Sequence, residues 1–382
     1  MAAPVLGGTL EDVSHSPLSV AALVPYATGT TPSQRFRIEQ WAPVLESNGI
    51  AVRCFPFADP ALTAMLQAPG RNGLKAARLL LATGRRFMTG ARLGTFDVIL
   101  IHRAACLAGP PWLERSLRLL ATPIVFDFDD AIWRLHTSAA NRRLGWLKFP
   151  GKTAAICRIS DHVVAGNAYL AEYARRFNPN VTVVPSSIDV DAYQPMTRPE
   201  AGDKVVVGWM GSSTSQTYLE LAVPMLRGVA ALPRVEIQVI SNRRPELPGV
   251  PFVWRPWSPE TEVTALAGFD VGIMPMPDDE WALGKCALKA LSYMAMGVST
   301  VASPVGANRE VIEQSRNGLL ASSDAEWVQA VGRLAGDREL RERLGRAGRE
   351  TVVARYSMRS SAAVFEQVVR EIAARRAVGP RR

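Results

Sequence analysis

The sequence predicts an α/β protein with two domains, each built from a parallel sheet and crossover helices. Short apolar runs alternate with helix-length amphipathic stretches, which is typical of parallel sheets. The alternation is interrupted over residues 189–203 by prolines, a glycine and charges, and it starts again at Val205. A chain of 382 residues is long enough for two domains of ordinary size.

The first half contains six predicted strands with helices between them. The strands are Leu18–Val24, Ala51–Phe55, Val98–Ile101, Ile124–Phe126, His162–Ala165 and Thr182–Val184. The helices include Ser33–Asn48, Gly73–Arg92, Pro111–Leu120 and Ala168–Phe177. The strands predicted in the second half are Val205–Met210, Glu236–Ile240, Phe252–Trp254, Val271–Met274 and Ser299–Ala302. Two such sheets in tandem usually bind a ligand between the carboxyl ends of their strands.

Composition excludes several classes of protein. The net charge is +9, which favours anionic partners such as phosphorylated small molecules or acidic lipids. The four cysteines are too widely spaced for a zinc or redox motif, and we expect reduced thiols in a cytoplasmic protein. The apolar runs are far shorter than the roughly 20 residues of a membrane helix. The basic residues lack the aromatic interleaving of a nucleic-acid surface, so no nucleic acid is expected.

Residues 71–92 form a predicted basic amphipathic helix. Six basic side chains and no acid occur between Arg71 and Arg92. Such a helix can lie on an anionic membrane. The alternative, a solvated face on an ordinary packed helix, is equally compatible with the pattern.

Two familiar motifs fail. The turn Gly208-Trp209-Met210-Gly211 has two of the three glycines of a dinucleotide fingerprint and then continues with serines. The run Asp127–Asp130 resembles a pair of metal-binding carboxylates, but no nearby histidine or third carboxylate completes a site. We therefore expect neither a bound metal nor an organic cofactor.

The segment 274–297 carries the clearest chemical signal. A strand ends, an acidic loop follows, and a helix is predicted to begin around Lys285 and to stop at Gly297. Lys285 and Lys289 are four residues apart and would share one face of that helix. Cations are disfavoured at a helix N-terminus by roughly 0.3–1 kcal/mol, so two lysines there indicate an anionic ligand such as a diphosphate. The alternative is that both lysines pair with Asp278, Asp279 and Glu280.

This segment resembles the retaining GT-B glycosyltransferases of family 4. Further similarity lies in Ser299–Ile312, Asn317–Leu320, Pro185–Asp189, the turn Gly208–Ser212, and Tyr356-Ser357. The resemblance implies two Rossmann-like domains facing a cleft and a C-terminal helix that crosses back to the first domain. It implies an acceptor domain over 18–195, a donor domain over 196–357 and a crossover helix with tail over 358–382. The first 17 residues are expected to be a flexible tail, because they carry Glu11 and Asp12 and lack the basic start and apolar stretch of a signal peptide. The implied activity is metal-independent transfer of a sugar from a nucleoside-diphosphate sugar to a hydroxyl, with retention of anomeric configuration.

The resemblance also assigns site residues. The implied donor-binding residues are Gly211, Ser212, Glu280, Lys285, Ala287, Leu288, Lys289 and Ser292. Arg35 and Arg37 are further candidates for the donor phosphates because guanidinium forks match phosphate geometry, although both could be surface charges. The catalytic candidates are Asp129, Asp130 and His102, which lie at predicted strand ends; His102 could equally be a structural residue.

Departures from the family pattern leave alternatives open. The two glutamates of the family's E-x7-E motif would fall at Gly284 and Ser292, and neither is acidic. A nucleotide-sugar epimerase of GT-B fold and a catalytically silent sugar-nucleotide-binding subunit are therefore alternative functions. The acceptor is not legible: a lipid-linked molecule, a glycan or a small natural product would all serve. A cytoplasmic location is expected, with peripheral attachment to the membrane if the basic helix faces lipid.

Overall fold

A computed structural model describes residues 17–134, 149, 151–196, 203–212 and 215–378. Within these residues the chain forms two parallel sheets of six strands each, in the orders β2-β1-β3-β4-β5-β6 and β12-β11-β10-β7-β8-β9. The first sheet consists of β1 Leu18–Val24, β2 Ile50–Pro56, β3 Val98–His102, β4 Ile124–Phe128, β5 His162–Ala165 and β6 Val181–Val183. The second consists of β7 Val205–Gly211, β8 Val235–Ser241, β9 Val253–Pro256, β10 Val271–Met274, β11 Ser299–Ala302 and β12 Leu319–Leu320.

Helices cover both sheets. Those of the first domain are α1 Pro32–Gln34, α2 Trp41–Ser47, α3 Pro60–Gln67, α4 Asn72–Gly90, α5 Trp112–Ser116, α6 Gly151–Ile159 and α7 Ala168–Arg175. Those that follow are α8 Gln216–Leu221, α9 Val223–Ala230, α10 Glu262–Leu266, α11 Glu280–Leu283, α12 Leu288–Ala295, α13 Asn308–Val311, α14 Asp324–Gly336, α15 Arg338–Arg355 and α16 Met358–Val378.

The central strands are apolar along their whole length because helices cover both faces of each sheet. Every residue of β3, β4 and β5 is buried. Strands buried on both faces have near-continuous Val and Ile runs rather than alternating polarity. The predicted two-domain α/β architecture is confirmed.

The last helix returns to the first domain, as expected. Phe365 and Val369 of α16 are buried in one apolar cluster with Val20 of β1 and Trp41 of α2. The rings of Trp41 and Phe365 lie 5.4 Å apart. This packing ties the end of the chain to its beginning.

Several predicted elements differ from the structure. The predicted helix Ser33–Asn48 is divided into α1, a π-helical segment Arg35–Glu39 and α2. The sequence analysis missed β12, whose two residues give too little pattern to detect. Residues 1–16 of the predicted tail (1–17) and residues 197–202 of the predicted boundary (189–203) lie outside the described residues.

The helix predicted to begin around Lys285 begins at Leu288. The Asp279 side chain accepts a hydrogen bond from the Ala282 N–H at 2.7 Å and caps the short α11, which ends at Leu283. Ala287 then adopts a left-handed backbone with a φ of 55°, which interrupts the helix. Lys285 is therefore in a turn and does not share a helical face with Lys289. The i, i+4 premise for the two lysines was wrong.

Candidate functional site

The predicted catalytic His102 lies at the end of β3, where it is held on both ring nitrogens. Its Nδ1 lies 2.6 Å from Asp127 Oδ2, and its Nε2 lies 3.0 Å from Ser33 Oγ. His102 and Asp127 face each other in register on β3 and β4, and both are fully buried. The half-buried Ser33 therefore lies between the Nε2 atom of the buried His102 and solvent.

Arg37 is a buried partner of Asp127. Its Nε donates to both carboxylate oxygens at 3.1 Å, and its Nη1 donates to the Val184 carbonyl at 2.7 Å. Burial alone would raise the pKa of Asp127, but the charge of Arg37 and the hydrogen bond from His102 outweigh burial and lower that pKa. Arg37 has no exposed surface, so a diphosphate cannot reach it in this conformation. The structure places this predicted donor residue inside the first domain.

Arg103 joins the two predicted catalytic aspartates. Its Nε donates to Asp129 Oδ1 at 2.8 Å, and its Nη2 lies 2.5 Å from Asp130 Oδ2. Burial opposes ionisation of Asp129, yet the charge of Arg103, followed by those of His102 and Arg37, lowers its pKa. The sequence analysis missed Arg103. The feature that could have identified it is its position directly after the buried strand β3. In the structure it takes a left-handed backbone with a φ of 61°.

Lys285 crosses from the second domain to Asp130. Its Nζ lies 2.8 Å from Asp130 Oδ1 and 4.9 Å from the centre of the Trp281 ring. Asp130 is thus bound on one oxygen by a lysine of the second domain and on the other by Arg103 of the first. The sequence alternative, in which Lys285 pairs with the acids of residues 278–280, is not what the structure shows.

The segment around Lys285 packs closely against the first domain. A Cβ at Gly284 would lie 2.7 Å from the Ala131 amide nitrogen, so only glycine fits there without a shift. Cys286 Sγ lies 3.2 Å from the Asp129 carbonyl oxygen. The Asn167 amide donates to the carbonyls of Leu283 and Lys285, both at 3.1 Å. The sequence analysis did not identify Asn167.

Lys289 is a partly buried cation at the start of α12. Its Nζ lies 5.5 Å from the centre of the Trp209 ring, a cation–π contact that the sequence analysis did not foresee. Within the described part of the chain its Nζ has no hydrogen-bond acceptor and no ion pair. Burial, followed by the charge of Lys285, lowers the pKa of Lys289 from 10.5 to about 8. This ammonium is available to an incoming anion.

The turn after β7 supplies Gly211 and Ser212. A Cβ at Gly211 would lie 2.5 Å from the Trp209 ring and 2.7 Å from Ser215 Oγ, which explains the glycine by space alone. The Ser212 carbonyl accepts hydrogen bonds from the N–H groups of Ser215 and Gln216 at 2.9 and 3.1 Å. These contacts shape the turn that precedes α8. No contact with a donor is needed to account for either residue.

The remaining predicted donor residues surround α11 and α12. Glu280 is exposed and pairs with Arg134 at 2.5 Å. Ala287 precedes α12 and Leu288 is its first residue; both are part of the apolar packing of the second domain. Ser292 is buried, and its hydroxyl donates to the Leu288 carbonyl at 2.9 Å. A backbone hydrogen bond thus occupies the hydroxyl at the position where the family motif has its second glutamate.

Arg35 forms a second bridge between the domains. Its Nη2 donates to the two oxygens of Glu262 at 2.9 and 2.8 Å. Tyr193 donates its hydroxyl to Glu262 Oε1 at 2.5 Å. Arg35 begins the π-helical segment of the first domain and Glu262 begins α10 of the second, so this ion pair joins the two domains. Its predicted contact with donor phosphates would require release from Glu262.

The three aspartates that the sequence suggested as metal ligands are paired with cations. In the described ranges no group of three or more His, Cys, Asp and Glu side chains is placed to hold a metal ion. The carboxylates that the sequence suggested, Asp127, Asp129 and Asp130, are already paired with Arg37, Arg103 and Lys285. Pairing with fixed cations is a poor starting point for a divalent ion.

Residues 206–337 match the family described as glycosyl transferases group 1. No curated protein sequence matches the chain. Among solved structures, sucrose-phosphate synthase from Thermosynechococcus elongatus is similar with a TM-score of 0.68 and 16% identity, over 94% of this chain and 100% of that one. A glycosyltransferase from Rickettsia africae gives a TM-score of 0.65 and 11% identity, over 94% and 99%. HepE from Anabaena, solved with UDP and glucose, gives 0.63 and 12%, over 93% and 100%.

The match to the family described as glycosyl transferases group 1 covers residues 206–337, which lie in the second domain. The structural likenesses, at these low identities, bear on the fold, which is GT-B. Both findings agree with the resemblance drawn from segment 274–297. The donor, the acceptor and the stereochemistry must be inferred from the residues of the cleft.

Proposed function

We propose that this protein transfers a sugar from a nucleoside-diphosphate sugar to an acceptor hydroxyl, with retention of configuration and without a metal ion. The observation that carries the proposal is Lys289, a cation with no acidic partner among the described residues, held over Trp209 in a group 1 glycosyltransferase domain. HepE, which shares the fold, was solved with UDP and with glucose, and this supports a uridine nucleotide as the first donor to try.

The proposed diphosphate site combines Lys289 with the start of α12. The first N–H groups of a helix have no partner within the helix, and they favour negative charge. Lys285 lies beside this helix start in sequence, and its charge lowers the pKa of Lys289. A bound diphosphate would relieve the repulsion between the two ammonium groups. Charge that grows on the leaving diphosphate would then be stabilised more than the ground state, which is what accelerates the reaction.

Retention is supported by the state of the aspartates. The charge of Arg103 helps to lower the pKa of Asp129, and a carboxylate with a low pKa is a weak general base. We therefore propose same-face attack, in which the acceptor oxygen bonds to the anomeric carbon as the diphosphate leaves. The leaving phosphate oxygen takes the acceptor's proton. Asp129 and Asp130 would orient hydroxyl groups, while His102 would position Ser33 rather than touch the sugar.

The basic helix α4 supports a proposal about where the protein works. We propose that the protein works at an anionic membrane surface through α4, and that it is otherwise cytoplasmic. In the part of the chain that the structure describes, no helix is long and apolar enough to cross a bilayer. A lipid-linked acceptor, a glycan and a small natural product all remain compatible with the cleft.

The second candidate is a silent sugar-nucleotide-binding subunit. The observation in its favour is the tight seat of Gly284 on Ala131, which leaves no room for a glutamate at that position. An epimerase would need more acid and base groups than the paired aspartates offer.

Donor binding and turnover separate these functions. A thermal-shift screen against UDP, GDP, ADP and their sugars, with and without Mg²⁺, should show one nucleotide that stabilises the protein independently of metal. Ligand at 100 times its Kd adds about 2.7 kcal/mol. Incubation with that donor should then release nucleoside diphosphate, and NMR of the product should show the donor's anomeric configuration. Binding without turnover would favour the silent subunit, a changed free nucleotide sugar would favour the epimerase, and no binding to any nucleotide would refute the proposal.

A further inference from the structure

Helix α4, Asn72–Gly90, turns its large apolar side chains outward. Leu80, Leu81 and Met88 are 74%, 68% and 81% exposed, and Leu74 and Phe87 are also exposed. An ordinary surface helix buries its apolar stripe against the core. In this helix, the strongest apolar face is the one that the described protein leaves uncovered.

The inward face of α4 contains charged residues that are individually satisfied. Lys75 is buried and its Nζ donates to the Ala68 carbonyl at 2.6 Å. Arg86 is buried and donates to the Val24 carbonyl at 3.2 Å. Leu79 and Ala82 supply the apolar contacts between them. The helix is therefore anchored in this orientation, and two of the six basic side chains of the sequence cluster are not available to a partner.

The outward face has a simple composition. With 100° between successive residues, the five exposed apolar side chains fall within an arc of roughly 140°. Arg78, Arg85 and the preceding Arg71 continue directly from one edge of that arc. No acidic residue occurs between Arg71 and Arg92. Arg85 pairs with Asp59 at 3.3 Å, and because both side chains are exposed to solvent, a lipid phosphate can replace this carboxylate. An apolar arc bordered by arginines is the pattern of a helix that lies in a membrane interface.

We propose that α4 lies in the interface of an anionic membrane, with Leu74, Leu80, Leu81, Phe87 and Met88 among the acyl chains and Arg78 and Arg85 at the lipid phosphates. Charge complementarity selects this occupant, because a second copy of a chain with net charge +9 would bring the same arginines against each other. Each arginine near an anionic surface contributes about a fivefold increase in partitioning.

The placement of α4 connects the membrane to the cleft. Arg86 bonds to the carbonyl of Val24, which is the last residue of β1 at the carboxyl edge of the first sheet. Helix α4 also packs beside α3, which begins just after β2 ends. The membrane face thus adjoins the cleft edge of the acceptor domain. This step rests on the proposed transfer function, and it assigns the acceptor to molecules reachable at a lipid surface.

Vesicle sedimentation of the full chain tests the proposal. We expect the protein to sediment with vesicles of phosphatidylglycerol and phosphatidylcholine, and far less with phosphatidylcholine alone. The double variant Leu80→Asp/Leu81→Asp should bind at least about tenfold more weakly, and its fold should be intact because both side chains are exposed. The matched control is Leu221→Asp, since Leu221 is 65% exposed on α8 of the other domain.

The charge contribution is tested by Arg78→Gln/Arg85→Gln, with the equally charged change Arg175→Gln/Arg176→Gln at the end of α7 as control. Binding that is lost only in the first pair supports the proposal. Failure of the native chain to bind anionic vesicles, or unchanged binding by the leucine variant, would overturn it. A native dimer that becomes monomeric in the leucine variant would assign the face to a second copy instead. Thermal shifts with nucleotide, measured in parallel, report separately on the proposed transfer function.

Discussion

Lys285 Nζ lies 2.8 Å from Asp130 Oδ1, and this ion pair joins the two domains across the cleft. Both groups are partly buried, with 28% and 12% of their side chains exposed. Arg103 holds the other oxygen of Asp130, so the carboxylate is occupied on both sides before any substrate arrives. A donor diphosphate that attracts Lys285 would release one oxygen of Asp130. The freed oxygen of Asp130 could then accept a hydrogen bond from the acceptor hydroxyl, but only after the donor has bound.

The change Asp130→Asn tests this exchange. Loss of the negative charge frees Lys285, so donor affinity should rise by about fivefold, the size expected for releasing one partly exposed ion pair. Transfer should fall by about a hundredfold, because the acceptor loses the carboxylate that orients it. Donor Kd from calorimetry and kcat from product release are the two measurements. The control is Lys285→Met, which should weaken donor binding. Weaker donor binding by Asp130→Asn would rule out competition between the two anions.

Donor affinity should depend on pH through Lys289. In the free protein the pKa of Lys289 is lowered to about 8, so the ammonium loses its proton as the pH rises through that value. A bound diphosphate favours the protonated form and raises the pKa. The Kd of the nucleotide sugar should therefore increase by about tenfold between pH 7 and 9, measured by calorimetry.

Two variants isolate the Lys289 ammonium. Lys289→Arg keeps its charge throughout this range, so its donor Kd should be flat with pH. Lys289→Met should bind weakly at every pH. A native-like pH dependence in Lys289→Met would assign the titration to another group.

The sequence predicted the sheets better than the site. Strand positions follow from buried Val and Ile runs, so β1, β3, β4 and β5 were placed within two residues. Contacts between domains leave no periodic signal. The pairing of Lys285 with Asp130 joins residues 155 positions apart. No motif in the sequence singles out Arg103, whose partners Asp129 and Asp130 lie 26 and 27 positions away. The position of Lys285 was missed for a local reason: the left-handed Ala287 interrupts a stretch whose composition favours a helix.

The sequence predicted that α4 is basic and amphipathic, but it did not predict that the apolar face points outward. Its basic and apolar content was evident from residues 71–92, but composition cannot tell which face of an amphipathic helix packs inward. Burial of Lys75 and Arg86 depends on the carbonyls of Ala68 and Val24, which only the fold brings within reach.

Gly284→Ala should weaken the contact between the two domains at Ala131. The new methyl group would lie 2.7 Å from the Ala131 amide nitrogen and 2.8 Å from its Cβ, so the backbone must shift. Overpacking of this kind costs about 1–3 kcal/mol. We expect a lower Tm and a larger radius of gyration by small-angle scattering. The control is Gly84→Ala in α4, where nothing lies within 4 Å; it should stabilise by up to about 1 kcal/mol. Equal effects of the two changes would show that Gly284 is not confined.

Arg103→Gln should reduce stability in a pH-dependent manner. The charge of Arg103 helps to lower the pKa of Asp129, and a carboxyl group with a lowered pKa stabilises the fold above its unfolded pKa near 4 and loses this effect as the pH falls. Removal of the guanidinium leaves Asp129 and Asp130 less compensated, at a cost of about 2–4 kcal/mol at pH 7. Urea unfolding should show this difference at pH 7 and a smaller one at pH 3. The exposed Arg175→Gln should change neither value, and a pH-independent loss in Arg103→Gln would point to packing instead of charge.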